Sequence, residues 1–533
     1  MLEGNPGQKR KPHIEPLRPD RYSVRQGLGL FLGPILLAVM LLVPTPRGMS
    51  PEAQKMAAVA LLMSVWWITE AIPIPATSLL PLVLFPLLGI VIGKSTSSAG
   101  LERLKQAAAE VARPYAHHLI FLFLGGFMIA LAMQRWNLHR RIAINIVRRL
   151  SYSPSVLILG FMVATAFLSM WISNSATTMM MLPIALAVVA HISDQEKRDG
   201  NDTTRGAWNG RFAVCMMLGI AYAASIGGVG TLIGTPPNVL LARHLEEELG
   251  KNIDFLEWMR VGVPFVVLFL PIAWLVLTRL LFRIGNMRLP RGKELIEEEL
   301  RALGRMSRAE TMTAIVFVMT ALGWVFLEPK EIAGRTIPGI QTLLPGVQDS
   351  TIAMIGALLL FILPVDLKRG EFVLNWHWAS RLPWGVILLF GGGFALAGGF
   401  TASGLDRWIS QQVEVFKGGH VLVLIAATVT LLIFLTELTS NTATTSMALP
   451  VFTGIAVGLG HDPILLLVPL TIAASCAFML PVATPPNAIV FGSGLVSIPQ
   501  MAKAGLILNI IGIALVTGIT YLLVIPLFHV VLR

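Results

Sequence analysis

The sequence predicts an all-α polytopic membrane protein with an internal repeat. Three observations predict it: 55% of its 533 residues are apolar and only 13% charged, long apolar runs recur along the chain, and an eleven-residue motif occurs twice. A soluble globular chain carries roughly a quarter charged residues. Stretches near the roughly 20 residues that a spanning helix needs run at 28–45, 55–75, 76–93, 155–192, 212–233, 261–284, 311–327, 351–364, 421–459, 463–480 and 503–529, which predicts about eleven crossings.

The segment before the first run carries Lys9, Arg10, Lys11, Arg18, Arg21 and Arg25 against Glu3, Glu15 and Asp20, so the tail 1–27 is expected on the cytoplasmic side. It has no cleavage pattern of a secretory signal. The net charge of +11 sits in this tail and in short loops, where membrane topology accounts for it without a nucleic-acid partner. Loop 137–153, with Arg140, Arg141, Arg148 and Arg149 and no acid, reads as cytoplasmic too. The connector 279–308 is also rich in Arg but holds Glu294, Glu297, Glu298 and Glu299, and it reads as a surface amphipathic helix. Three apparent crossings separate loop and connector, so the two cannot share a side. Cys215 and Cys476 lie in apolar runs at unrelated repeat positions and read as two buried thiols.

The duplicated motif is Ser173-Asn174-Ser175-Ala176-Thr177-Thr178-Met179-Met180-Met181-Leu182-Pro183 and Ser440-Asn441-Thr442-Ala443-Thr444-Thr445-Ser446-Met447-Ala448-Leu449-Pro450, identical at eight of eleven positions. Gly125-Gly126-Phe127 and Gly392-Gly393-Phe394 keep the same offset of 267. Thr235-Pro236-Pro237-Asn238 and Thr484-Pro485-Pro486-Asn487 follow at an offset of 249, the difference being absorbed by the polar loop 193–211. Ordered internal duplication of this kind is a signature of secondary transporters, which place their site where the repeats meet.

Local chemistry predicts a helix break at each motif, because Ser and Asn cap helix starts better than they fill helix interiors. Free N–H groups at the restart would favour an anion without any basic side chain. Each Pro-Pro pair is expected to stop a helix inside an apolar segment and leave carbonyls free as cation ligands. Ser169 lies four residues before Ser173 and Thr436 four before Ser440, so each hydroxyl shares a face with its break. Hydroxyl, amide and backbone oxygens suit a hard cation such as Na⁺. No Lys or Arg falls within 150–192 or 421–459, so a dianion held there needs bound cations to offset its charge.

These motifs, with Gly227-Gly228-Val229-Gly230-Thr231-Leu232-Ile233-Gly234 leading into the first Thr-Pro-Pro-Asn and Ala483 preceding the second, resemble the divalent anion/sodium symporter family. The resemblance covers about 28–533. It implies sodium-coupled symport of C4-dicarboxylates such as succinate, malate and fumarate, or, in relatives, dicarboxylate exchange or tricarboxylate or sulfate carriage. It implies an inverted repeat, a homodimer, and scaffold and transport domains that move as an elevator. The halves would be 28–285 and 311–533, joined by the amphipathic connector 286–310. Re-entrant hairpins would lie at about 118–136 and 383–404. At least two Na⁺ per protomer are implied: one among Ser169, Ser173, Asn174 and the Gly234 carbonyl, the other among Thr436, Thr439, Asn441 and the Ala483 carbonyl. Substrate carboxylates would be held by Asn174, Ser175, Asn441 and Thr442, with Thr235, Thr484 and Pro485 closing the pocket. The chain departs from the common pattern at Ser175, where many members have Thr; the lost methyl widens that corner and bears on the choice of anion.

Other readings carry less. The glycines at 228, 230 and 234 lack the spacing and context of a dinucleotide fingerprint. An enzyme would gather acids or histidines at one depth, whereas the ten His are scattered and His117-His118 is the one adjacent pair. Acids at membrane depth are functional by default; Glu437 is open to either a structural or a coupling role, and Glu70, near Pro73 and Pro75, to a structural one.

Overall fold

The computed structural model describes residues 22–92, 108–150, 153–198, 203–284, 292–332, 335–414, 418 and 420–530. Most of the expected tail 1–27 and the head of the connector thus lie outside the described residues. What is described is helical apart from two short two-stranded ribbons, Lys330–Ile332 with Arg335–Ile337 and Pro364–Asp366 with Glu371–Phe372. Six helices are long and apolar enough to cross a membrane by length and composition, and six shorter apolar ones accompany them.

Helices α1 (Val24–Leu42) and α2 (Pro51–Thr69) pair because Gly29 and Gly33, the buried residues of α1, admit Thr69 and Trp66. After α3 (Leu80–Leu88), the Gly-Gly-Phe segments occupy α4 (His118–Arg135) and, in the second half, α14 (Trp384–Ser403). Each is one unbroken helix, not the hairpin expected at 118–136 and 383–404. The glycines serve close packing instead: a Cβ at Gly125 would lie 2.7 Å from the Ala353 carbonyl carbon of α13 (Asp349–Ile362), and one at Gly392 2.3 Å from the Ser78 oxygen. The chain turns beyond these helices, at Asn137 and Gly404, both in the left-handed region, and continues as the amphipathic helices α5 (Leu138–Arg149) and α15 (Leu405–Val413).

The hairpins lie at the Ser-Asn motifs. Helix α6 (Pro154–Ser169) ends before the first motif and α7 (Asn174–Arg198) begins in it. Helix α5 covers the start of α6, with Val147 and Leu150 against Gly160. It also pairs with α11 (Gly292–Ala302) through Arg140–Glu299 and, at 3.9 Å, Arg148–Glu297. The later turns of α7, at Ile184 and Val188, line a cavity with Ile296 and Glu299 of the same α11. So α6 starts and α7 ends on one side, and the segment folds back at residues 170–173.

Helix α8 (Thr203–Gly228) then runs parallel to α6, with Gly219 beside Met162 and Gly227 beside Ala166. It breaks at 229–235 and resumes as α9 (Pro236–Leu249), whose end meets the start of α4 on the opposite side. Helix α10 (Phe255–Leu275), extended by a wide turn to Leu281, returns. Two crossings therefore separate α5 from α11, not three, and the two Arg-rich segments share a side after all. The sequence could not reveal this, because hydropathy does not say whether a chain continues or turns back after a break.

The second half, beyond α12 (Arg308–Val325), α13 and α14, repeats the plan. Helices α16 (Val421–Thr436) and α17 (Asn441–Gly458) form the second hairpin, with α15 against the end of α17 at Gly454 and Gly458. Helices α18 (Ile464–Ala474) and α19 (Pro485–Phe491) form the second broken pair, and α20 (Ile498–Ile519) closes the chain. Lys251, just after α9, pairs at 2.6 Å with Asp462, just after α17. The second hairpin thus opens on the side opposite the first, and the repeat is inverted. The Pro-Pro pairs fill the first two positions of α9 and α19, where a missing N–H costs nothing. They open the second half-helix instead of stopping the first, which ends several residues earlier.

Candidate functional site

At the tip of the first hairpin the Ser169 hydroxyl lies 2.6 Å from Asn174 Oδ1 and 2.7 Å from the Ala224 carbonyl oxygen on α8. At the second tip the Thr436 hydroxyl lies 2.7 Å from Asn441 Oδ1 and 2.9 Å from the Ala474 carbonyl oxygen on α18. Each cluster has three oxygens and one proton to share. Such oxygen clusters fit a hard cation. Ser169 and Thr436 are fully buried, so their surroundings contain protein oxygens in place of water.

Orphaned groups recur at equivalent positions beside both clusters. Ser225 Oγ and Ser475 Oγ, next to Ala224 and Ala474, are buried without a hydrogen-bond partner among the described residues, as are Asn238 Oδ1 and Asn487 Oδ1. Buried polar atoms without partners ask for an explanation, and the same pairs orphaned in both repeats is what an ion or water site leaves behind. The amide nitrogens of these asparagines are occupied. Asn238 Nδ2 donates to the carbonyls of Gly228 (3.2 Å), Val229 (3.4 Å) and Thr231 (2.7 Å), and Asn487 Nδ2 to those of Ala477 (3.3 Å) and Leu480 (3.0 Å). The Asn of each Thr-Pro-Pro-Asn motif therefore shapes the backbone of its own break.

The remaining expected ligands are placed unequally. Ser173 caps α7, its Oγ accepting from the Ala176 N–H at 3.4 Å, and Ser440 caps α17 by backbone conformation alone. Gly234 is one layer away: a Cβ on it would meet the Gly228 oxygen at 2.4 Å, and one on Gly228 would meet Asn174 Oδ1 at 2.5 Å. Thr439 turns its hydroxyl to the Leu435 carbonyl (2.9 Å) and to Thr444, within its own hairpin. The Ala483 N–H donates to the Leu480 carbonyl at 3.1 Å.

Of the expected substrate residues, Asn174 and Ser175 open α7, and Asn441 and Thr442 open α17. Thr235 and Thr484 are buried at the caps of α9 and α19, where Thr484 Oγ1 accepts from the Asn487 N–H at 3.3 Å, and Pro485 is exposed. The halves exchange these elements: α19 packs on α7, and α9 packs on α17. Each Thr-Pro-Pro-Asn helix is thus carried to the Ser-Asn hairpin of the other half.

Three features of this region lie outside the repeated motifs. The Ala224 and Ala474 oxygens of the two clusters are backbone carbonyls. Arg381 lies far from both motifs in sequence, yet with Gln134 and Trp378 it lines a cavity of about 260 Å³ that reaches Ser173, Ala176 and Met179. Its guanidinium rests over the Trp378 ring at 4.2 Å. The third feature is the seat of Glu437, whose carboxylate accepts from the N–H groups of Phe478 (2.7 Å), Met479 (2.9 and 3.0 Å) and Leu480 (3.2 Å) and from Asn509 Nδ2 (2.7 Å). That arrangement anchors the break between α18 and α19. In the first half its counterpart, Met170, lies against Gly230 and accepts at its carbonyl from the Thr231 hydroxyl. Glu70 ends α2 in the left-handed region and is exposed, and both cysteines are buried thiols.

Residues 26–530 match the family described as the sodium:sulfate symporter transmembrane region. The sodium-dependent dicarboxylate transporter SdcS of Staphylococcus saprophyticus is 41% identical over 510 residues, covering 96% of this chain and 93% of that protein. The SdcS of Staphylococcus aureus strain NCTC 8325 is 41% identical over 505 residues, covering 94% and 91%. Among solved structures, Neisseria gonorrhoeae MtrF superposes with a TM-score of 0.54 at 12% identity, covering 86% of this chain and 96% of that one. The Alcanivorax borkumensis YdaH transporter gives 0.54 at 15% identity, covering 88% and 98%. At such identities the structural likeness speaks to the fold.

Proposed function

The chain belongs to the sodium:sulfate symporter family of multi-pass membrane proteins, and from that premise we propose that it is a secondary active transporter coupling Na⁺ entry to uptake of C4-dicarboxylates. The observation that carries the reading is the doubled oxygen cluster: Ser169, Asn174 and the Ala224 carbonyl, repeated as Thr436, Asn441 and the Ala474 carbonyl. One Na⁺ binds at each, completed by Ser173 and the Gly234 carbonyl in the first and by Thr439 and the Ala483 carbonyl in the second. At least two ions per protomer follow.

The dianion lies between the hairpin tips. Its carboxylates take hydrogen bonds from Asn174 and Ser175 on one side and Asn441 and Thr442 on the other, beneath Thr235, Thr484 and Pro485. The starts of α7 and α17 point toward it with free N–H groups and positive dipole ends. No basic side chain stands in either hairpin tip, so the bound ions supply the compensating charge, and coupling is a consequence of that electrostatics. Arg381 attracts the anion into the cavity that leads to Ser173. The hairpins and broken pairs move together as the transport domain of an elevator, against a scaffold that holds a second copy in a homodimer. No step requires chemical conversion of the substrate.

The test is uptake of labelled succinate into proteoliposomes under an inward Na⁺ gradient, with K⁺ in its place, and into vesicles preloaded with succinate. Concentrative uptake into empty vesicles with Na⁺ alone is expected. Uptake confined to preloaded vesicles would make the protein an exchanger. Stronger competition by sulfate or citrate than by malate or fumarate would reassign the anion, for which the smaller Ser175 leaves room.

A further inference from the structure

The paired histidines at the head of α4 meet the far end of α9. His117 Nε2 lies 2.8 Å from Glu247 Oε1, and His118 Nε2 lies 3.0 Å from both carboxylate oxygens of Glu246. The two imidazole rings are 4.4 Å apart, and one donor atom from each of His117, His118 and Glu246 falls within 4.8 Å of the others. Among the described residues this is the one group of three or more His, Cys, Asp or Glu side chains gathered so closely. It lies on the side opposite α5, away from both Ser-Asn clusters.

The local charge favours a cation. Glu246, Glu247 and Glu248 follow one another, and the buried Arg243 pairs with Glu247 and, at 3.8 Å, with Glu248. Its guanidinium is held over the Phe394 ring at 4.9 Å, while the Glu246 carboxylate faces the His118 imidazole. His118 Nδ1 is buried without a partner among the described residues. Imidazole nitrogen with carboxylate oxygen is a donor set for zinc and its first-row neighbours, which bind at about 2.0–2.2 Å in tetrahedral geometry.

We propose that His117, His118 and Glu246 form a binding site for a transition-metal dication, with water completing the coordination, and that the bound ion ties α4 to α9. The tie has a functional consequence because α9 packs on the second hairpin while α4 packs on α12 and α13. A metal bridge between them holds the element that leaves the first break against helices outside the ion sites, and so opposes any movement that carries those sites.

The probe is zinc chloride added to the purified full-length protein, read by calorimetry and by metal content after gel filtration. One zinc per protomer is expected. Binding should weaken about tenfold or more in His118→Ala and in the isosteric Glu246→Gln, and be retained in His420→Asn, an exposed cap position. No stoichiometric zinc in the wild type, or equal zinc in wild type and both variants, overturns the site. In proteoliposomes zinc should slow Na⁺-driven succinate uptake by the wild type, with chelator restoring it, and leave Glu246→Gln unaffected. Zinc bound at stoichiometry with unchanged uptake overturns the tie. This arm rests on the proposed function. Loss of succinate uptake in zinc-free wild type would count against that function, while the binding arm still supports or overturns the site.

Discussion

Asn509 of α20 donates to Glu437 at 2.7 Å, and through that carboxylate the last long helix of the chain is joined to three N–H groups at the break between α18 and α19. A carboxylate at membrane depth is expensive unless every lone pair is occupied, and here four donors converge on it.

Glu437→Gln keeps the shape but presents an NH₂ group to donors. At least two of the five hydrogen bonds from these four donors are lost, at about 1–3 kcal/mol for each buried group left unpaired. The protein should still insert, melt at a lower temperature in detergent, and show uptake reduced at every pH. A uniform loss argues for anchoring; loss confined to one arm of the pH profile would instead make Glu437 a proton carrier.

Ser169→Ala and Thr436→Ala each remove one oxygen from a three-oxygen cluster. Loss of a hydrogen-bonding or coordinating group of this kind costs about 1.5–3 kcal/mol, or roughly ten- to a hundredfold in affinity. The Na⁺ concentration for half-maximal uptake should rise accordingly, with maximal rate restored at high Na⁺. Unchanged sodium dependence in both variants would remove these residues from the ion sites.

In the proposed site Asn174→Ala and Asn441→Ala each remove an ion ligand and a substrate ligand together, so no Na⁺ concentration should rescue them. Uptake should be lost while gel filtration shows a correctly assembled protein. Robust uptake by both variants would defeat the placement of the substrate.

The attraction proposed for Arg381, which lines the cavity that reaches Ser173, is long-range and therefore screened by salt. Arg381→Gln should raise KM for succinate about tenfold at low ionic strength, with kcat unchanged, and the gap should close as choline chloride is added. Arg381→Lys should keep most of the wild-type KM. A KM unaffected by either substitution would show that the anion enters elsewhere.

Gly227→Ala tests the fold directly. The added carbon would stand 2.3 Å from the Ala166 carbonyl oxygen, against backbone that cannot rotate away. Overpacking of this sort costs about 1–3 kcal/mol or more, so the melting temperature should fall clearly, whereas Gly210→Ala, which meets nothing within 4 Å, should be neutral.

The positions of the helix breaks were legible in the sequence, because Ser and Asn cap helices for local reasons: α7 and α17 start within the motifs as expected. The i, i+4 spacing sets Ser169 beside Ser173 and Thr436 beside Ser440, whereas the hydroxyls meet Asn174 and Asn441, one residue further on, a grouping that only the family resemblance implies. The hairpins that the resemblance implies at 118–136 and 383–404 are single helices there, and the chain folds back at the Ser-Asn motifs instead. At Gly125 and Gly392 the missing Cβ is what matters, and it is spent on contact with Ala353 and Ser78. Chain direction after a break depends on partners such as α8 and α11, which no local pattern names. The carbonyls of Ala224 and Ala474 could not be read at all, because every residue has one.

The exchange of α9 and α19 between the halves bears on how the protein is made. A ribosome releases the first hairpin, with its cluster of hydroxyls, long before Phe491 completes the helix that covers it. Until then the polar tip waits in the bilayer or at the insertion machinery without its lid. A chain truncated before α19 should be recognised as unfinished by membrane proteases however well the helices before it have inserted, which makes quality control sensitive to the last part of the molecule to be synthesised.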